Sequence, residues 1–175
     1  HKTASGKLAP KDADHPNLLA APWTITAAIP GKGEYTIKDN ISGCWNNNGK
    51  NIHYGIASEL QKQIEQSLTL TYTSGGQEYT LDYNALKQRT DITFNITYYS
   101  NEWWQNPVSS TDSTTPVSSF KIELDTTKCT LDLSQLTLNY STQVDISDLS
   151  EGDRITISNK LDNENGVSYD YQKPS

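Results

Sequence analysis

Three histidines, His1, His15 and His53, are the residues of this chain best suited to hold a metal. A chain-terminal histidine offers its α-amine and a ring nitrogen to one ion, and a second imidazole completes the nitrogen-rich set that Cu(II) favours. His1 and His53 supply those nitrogens, with Tyr169 or Tyr171 available for an axial position, whereas His15 precedes Pro16 and reads as a surface residue. Other chemistries lack their parts. No Gly-x-Ser-x-Gly elbow accompanies the serines, and no Cys-x-x-Cys pair, phosphate-cradling glycine loop or calcium-loop pattern occurs. Most Asp and Glu fall in turns or on the outward phase of strands, away from the apolar pocket that a glycosidase acid needs. The aromatics say more. Trp103 and Trp104 lie among Asn101, Glu102, Gln105 and Asn106. Neighbours on an extended segment point to opposite faces, so the two indoles are not expected to be buried together. An exposed indole flanked by amides suits a sugar ring or a partner surface, which makes Trp103 and Trp104 the expected ligand contacts.

Composition bounds what those residues can serve. The chain has 175 residues, 34% of them hydrophobic and 20% charged, with a net charge of -7. Its mean hydropathy is -0.69 and its pI about 4.8. This composition excludes a coiled coil and a transmembrane protein. With Arg89 and Arg154 as the two arginines, the acidic balance also argues against nucleic acid as a partner. The chain opens on His1 and contains no Met, which leads to the expectation of a secreted protein whose signal peptide has been removed. Cys44 and Cys129 are expected to pair in that oxidising setting. The disulfide would close a loop of about 85 residues, worth roughly 4 kcal/mol in the chain-entropy model. Asn40, Asn95 and Asn139 begin N-glycosylation sequons.

The elements that must position these residues are mostly short strands. Residues 1–22 read as an extended arm, followed by a single β-rich domain over 23–175. Strands are expected at Trp23–Ala27 and Glu34–Lys38, joined as a hairpin by Pro30-Gly-Lys-Gly33. The one helix is expected over about 57–67, capped by Ser58, with Leu60, Ile64 and Leu68 on its apolar face. Leu68–Thr73 and Glu78–Tyr83 flank a Gly75-Gly76 turn, and Ile92–Tyr99 is a further strand. Residues 105–119, rich in Ser, Thr and Pro, form an exposed loop. Phe120–Leu124, Cys129–Leu133, Leu136–Tyr140, Gln143–Ile146 and Arg154–Ile157 alternate apolar with polar residues. The fold class is mainly β, an antiparallel sandwich or barrel with one short helix and one disulfide.

Three stretches resemble known families. His1 with His53 resembles the histidine brace of lytic polysaccharide monooxygenases, which implies copper and polysaccharide oxidation. Within 45–99, Trp45–Tyr54, Ser58–Glu65 and Tyr79–Gln88 (YTLDYNALKQ) look like the WWE domain, a half-wrapped sheet with one helix that binds ADP-ribose units. That likeness implies Tyr79 stacking on adenine, Gln88 hydrogen-bonding the ligand and Lys50 facing phosphate, although Ile52 stands where the second Trp belongs. Cys129–Tyr140 is loosely similar to the cysteine-bearing strand of fimbrial subunits.

The expected function is recognition without catalysis: a secreted adhesin, lectin-like module or effector that binds a glycan or protein surface and needs no cofactor. Copper chemistry at His1 and His53 and ADP-ribose binding at Lys50, Tyr79 and Gln88 are the alternatives.

Overall fold

Period-two patterning governs the chain. The computed structural model describes residues 1–41 and 43–175, so Ser42, which completes the Asn40 sequon, lies outside the described residues. The strands are β1 (Lys2–Ala4), β2 (Ala9–Pro10), β3 (Leu18–Ala28), β4 (Glu34–Asn40), β5 (His53–Ile56), β6 (Thr69–Ser74), β7 (Gln77–Asp82), β8 (Thr93–Tyr99), β9 (Pro107–Val108), β10 (Pro116–Val117), β11 (Ser119–Asp125), β12 (Asp132–Asp145), β13 (Arg154–Leu161) and β14 (Val167–Gln172). The helices are α1 (Ala57–Ser67) and α2 (Tyr83–Gln88).

The strands form two antiparallel sheets. One runs β1-β3-β12-β5-β10, with β2 on β3 and the β6–β7 hairpin on β12. The other runs β14-β13-β4-β11-β8-β9. Along β12, Leu136, Leu138, Tyr140, Thr142 and Val144 are all buried, so its inward phase stays in register past the polar stretch around Ser141. One hydrophobic cluster draws on both sheets, and the Phe120 ring meets Tyr140 edge-on at 5.3 Å. α1 covers one part of this core with Ala57, Leu60 and Ile64.

Several expectations need correction. β3 and β4 do not form a hairpin. β3 pairs with β12 over Leu18–Ala28, while β4 pairs with β11 over its whole length and lies in the other sheet. Each gains a longer ladder from a distant partner than a mutual hairpin could give. The strands expected at Leu136–Tyr140 and Gln143–Ile146 belong to one continuous β12, which also takes in the end of the Cys129–Leu133 stretch. Tyr83 opens α2, because Asp82 caps that helix by accepting from Ala85 N at 2.8 Å. Ser58 does not cap α1. The N-cap is Ile56, and the backbone N–H of Ser58 donates instead to Asp112 O at 3.0 Å.

The cysteines are both buried and not bonded. The β4–β11 register pairs Asn40 with Ser119 and Glu34 with Asp125. Cys44 follows the first end of this ladder and Cys129 the second, so about 20 Å of strand separates the segments that carry them. A disulfide needs Cα atoms within about 7 Å. Burial raises the pKa of the Cys44 thiol.

Denatured protein will therefore titrate two thiols without prior reduction, and reductant will leave its thermal midpoint unchanged. Leu60 is fully buried, and a Cβ added at Gly55 would sit 2.6 Å from its Cδ1. Leu60→Ala should cost about 2–5 kcal/mol in urea denaturation.

Candidate functional site

The Trp103–Trp104 turn follows β8 and is fixed from within. Asn101 Oδ1 accepts from the backbone N–H groups of Trp103 (3.1 Å) and Gln105 (3.0 Å). Ser119 Oγ donates to Asn101 O at 2.6 Å. Trp104 takes φ 55°, a left-handed conformation uncommon for a bulky residue. Its Nε1 donates to Phe120 O at 3.0 Å, and the Lys38 ammonium lies 5.1 Å from its ring centre. Trp104 thus anchors the turn, while Trp103 is 68% exposed. The loop that follows is tied down as well. Asp112 accepts from Thr114 N and Thr115 N, and Val117, Ser118 and Ser119 are buried.

A second indole, Trp45, is 58% exposed. It stands at a cleft of about 340 Å³ whose lining includes Asn46, Asn47, Asn48, Asp153 and Arg154. The Asn-rich turn is held by Asn46 Oδ1, which accepts from the N–H groups of Asn48 (3.0 Å) and Lys50 (3.1 Å). Gly49 turns the chain at φ 72°. Asn46 Nδ2 is buried with no hydrogen-bond partner among the described residues. Lys50 adjoins this turn, with its ammonium 3.5 Å from Asp145 and 3.8 Å from Asp148.

The structure does not bring Lys50 to Tyr79. Tyr79 pairs with Tyr72 in the β6–β7 hairpin, and Tyr72 pairs with Leu133 at the start of β12. Lys50 lies beside Asp145 at the other end of that strand, so roughly 40 Å of ladder separates them. Tyr79 stacks on Tyr72 at 5.4 Å and is 44% exposed, and Gln88 ends α2 in solvent. His1 and His53 are also apart. The His1 ammonium donates to Thr26 O at 2.7 Å and pairs with Glu164 at 2.9 Å. Thr26 faces Thr137 on β12, and His53 faces Val144, about 20 Å further along. His53 is fully buried, with Nε2 at 2.7 Å from Thr142 Oγ1, and Trp23 Nε1 donates to the same hydroxyl at 2.9 Å. Tyr169 packs edge-on against Trp23 and donates to Pro22 O. Among the described residues, no three His, Cys, Asp or Glu side chains gather as metal ligands.

A dense buried polar cluster joins strands of the two sheets, at Lys2 (β1), Asp39 (β4), Tyr140 (β12) and Asn159 (β13). All four are at most 2% exposed. The Lys2 ammonium donates to Asp39 Oδ1, to Asn159 Oδ1 and, at 2.5 Å, to Tyr140 Oη. Tyr140 Oη donates to Asp39 Oδ2 and accepts from Asn159 Nδ2 at 2.8 Å. The rings of Trp23 and Tyr140 lie 5.8 and 5.2 Å from Lys2 Nζ. Burial pushes the Lys2 ammonium down to about 8, against the pull of the Asp39 carboxylate. Burial likewise raises Asp39, opposed by Lys2 and the Tyr140 hydroxyl, and raises Tyr140 together with the charge of Asp39. These shifts favour the neutral amine and neutral carboxylic acid relative to water.

The sequence reading passed over this cluster, although a signal was present. Asp39 follows Tyr35 and Ile37 on the inward phase of β4, and Asn159 stands between Ile157 and Leu161 on that of β13. A polar residue in an apolar slot marks a buried partner. Lys2, the first residue of a three-residue edge strand, offered no such phase. Comparison with protein-family models, curated proteins and solved structures finds no match to this chain.

Asn101→Ala leaves two backbone donors of the Trp103 turn without their acceptor. It should lower stability by about 0.5–1.5 kcal/mol in urea denaturation and broaden the environment of Trp103 in fluorescence.

Proposed function

We propose that this chain is a recognition module that works outside the cell and engages a glycan or protein surface through indoles held on ordered turns, without catalysis of its own. The observation that carries this reading is Trp103, 68% exposed on a turn that Asn101, Ser119 and Trp104 fix in place. An indole presented this way loses little conformational freedom on binding and brings a large apolar face. Trp45 adds a second platform whose amide and carboxylate neighbours suit the hydroxyls of a sugar. We read the two sheets as the faces of a β-sandwich, with these turns displayed at its margins. The acidic surface accords with a partner other than nucleic acid. Asn95 and Asn139, both exposed on strands, are the sequons most open to glycan addition.

Titration of the protein with a panel of soluble oligosaccharides, read by tryptophan fluorescence, tests the proposal. Trp103→Ala or Trp45→Ala should weaken the best binder at least about tenfold, as an interface hot spot would. A binder whose affinity survives both substitutions would remove the indoles from the site.

A further inference from the structure

A buried ion pair needs two groups, but the site between the sheets holds four in a closed ring. Lys2 Nζ touches Asp39, Asp39 touches Tyr140, Tyr140 touches Asn159, and the Asn159 carboxamide returns to Lys2 Nζ. The carbonyl carbon of Asn159 is one bond from the oxygen that Lys2 contacts. Its amide nitrogen is already bonded to a hydroxyl whose own proton lies on a carboxylate.

We propose that Lys2 and Asn159 condense to a side-chain amide, an isopeptide bond that covalently joins β1 to β13. One proton of the Lys2 ammonium passes to Asp39, leaving a neutral amine. The amine attacks Asn159 Cγ, forming the Nζ–Cγ bond. A second Lys2 proton reaches Asn159 Nδ2 by way of Asp39 and the Tyr140 hydroxyl, the Cγ–Nδ2 bond breaks, and ammonia leaves. Oδ1 stays in place, nothing is oxidised or reduced, and no cofactor takes part. Asp39 acts as the proton carrier and Tyr140 as its relay.

The surroundings suit this step. All four side chains are closed to bulk water, and hydrolysis of the acyl centre is suppressed accordingly. The strand framework holds amine and carboxamide in contact, so the reaction is intramolecular and its entropy is already spent in folding. Burial favours the neutral amine, the only form of lysine that can attack. The aromatic rings of Trp23 and Tyr140 wall the site with low-dielectric surface. The inference stands on this cluster alone and is independent of the recognition proposal.

Intact mass of the denatured full chain is the test. The expected mass is below that of the sequence by one ammonia, and trypsin should release a branched peptide joining residues 1–7 to residues 155–160. Lys2→Arg and Asp39→Asn should each restore the full mass. A wild-type chain of full sequence mass would overturn the proposal. So would a deficit that maps to Asn48-Gly49 or Asn165-Gly166, where succinimide formation also expels ammonia. Circular dichroism establishes that Asp39→Asn folds. If the folded variant still forms the bond, Asp39 is not the proton carrier. If the variant does not fold, the branched peptide of the wild-type chain decides the bond by itself.

Discussion

An ammonium and a carboxylate cannot be withdrawn from water without a penalty of several kcal/mol for each ion, and this fold withdraws both at Lys2 and Asp39. The arrangement is tolerable because both ions gain further hydrogen-bond partners. Tyr140 and Asn159 complete the set, and the four residues come one each from β1, β4, β12 and β13. Two of those strands belong to one sheet and two to the other. The polar contacts therefore tie particular strands of one sheet to particular strands of the other, which nonspecific hydrophobic contact leaves loose. Aromatic packing follows from them: Phe120 meets Tyr140, Tyr169 meets Trp23, and Trp23 donates to Thr142 beside His53.

Order extends from this centre to the turns at the margins. The Trp103 and Trp45 turns contribute little to the core, yet Asn101 and Asn46 hold them through backbone hydrogen bonds. In each, one amide oxygen of an asparagine accepts from two main-chain N–H groups, so the many asparagines of this chain build turns as well as polar surface. A turn held this way is ordered by its own hydrogen bonds, so it would lose little conformational freedom on binding. The Cβ built at Gly43 falls 2.3 Å from Trp45 Nε1, which shows how closely that indole lies along the chain.

Elements with strong local patterns were legible in the sequence. The α1 face of Leu60 and Ile64, the β6–β7 hairpin about Gly75-Gly76 and the inward phases of β8 and β11 all follow from neighbours in the chain. Pairings across long separations were not. Nothing near Trp23 signals that its partner is Tyr140, nor does anything near Tyr35 signal Leu124. β14 was not read from the sequence, although Val167, Tyr169 and Tyr171 alternate there with exposed polar residues. At the site level, it was readable that Trp103 and Trp104 would not be buried together, but not that Trp103 is the exposed one. The buried ring was not readable, since its members gain meaning only when four strands converge. His53 misled for the related reason that a histidine's partner, here Thr142, is set by topology.

The expectation of a single covalent staple looked for sulfur, but the same physical need points elsewhere. β1 is a three-residue edge strand, an element with few ladder bonds of its own. Its ladder to β3 spans only Lys2, Thr3 and Ala4. What retains it is Lys2, whose contacts reach residues up to 157 positions away. In the chain-entropy model, a crosslink over that separation restrains the unfolded chain by roughly 5 kcal/mol, more than the shorter Cys44–Cys129 loop would have given. An amide is also indifferent to redox potential, so such a staple would hold whether or not the compartment oxidises thiols. Two reduced, buried cysteines and one buried lysine–asparagine contact are then parts of one solution, in which the crosslink closes where the strands already meet and the thiols serve only as small core residues.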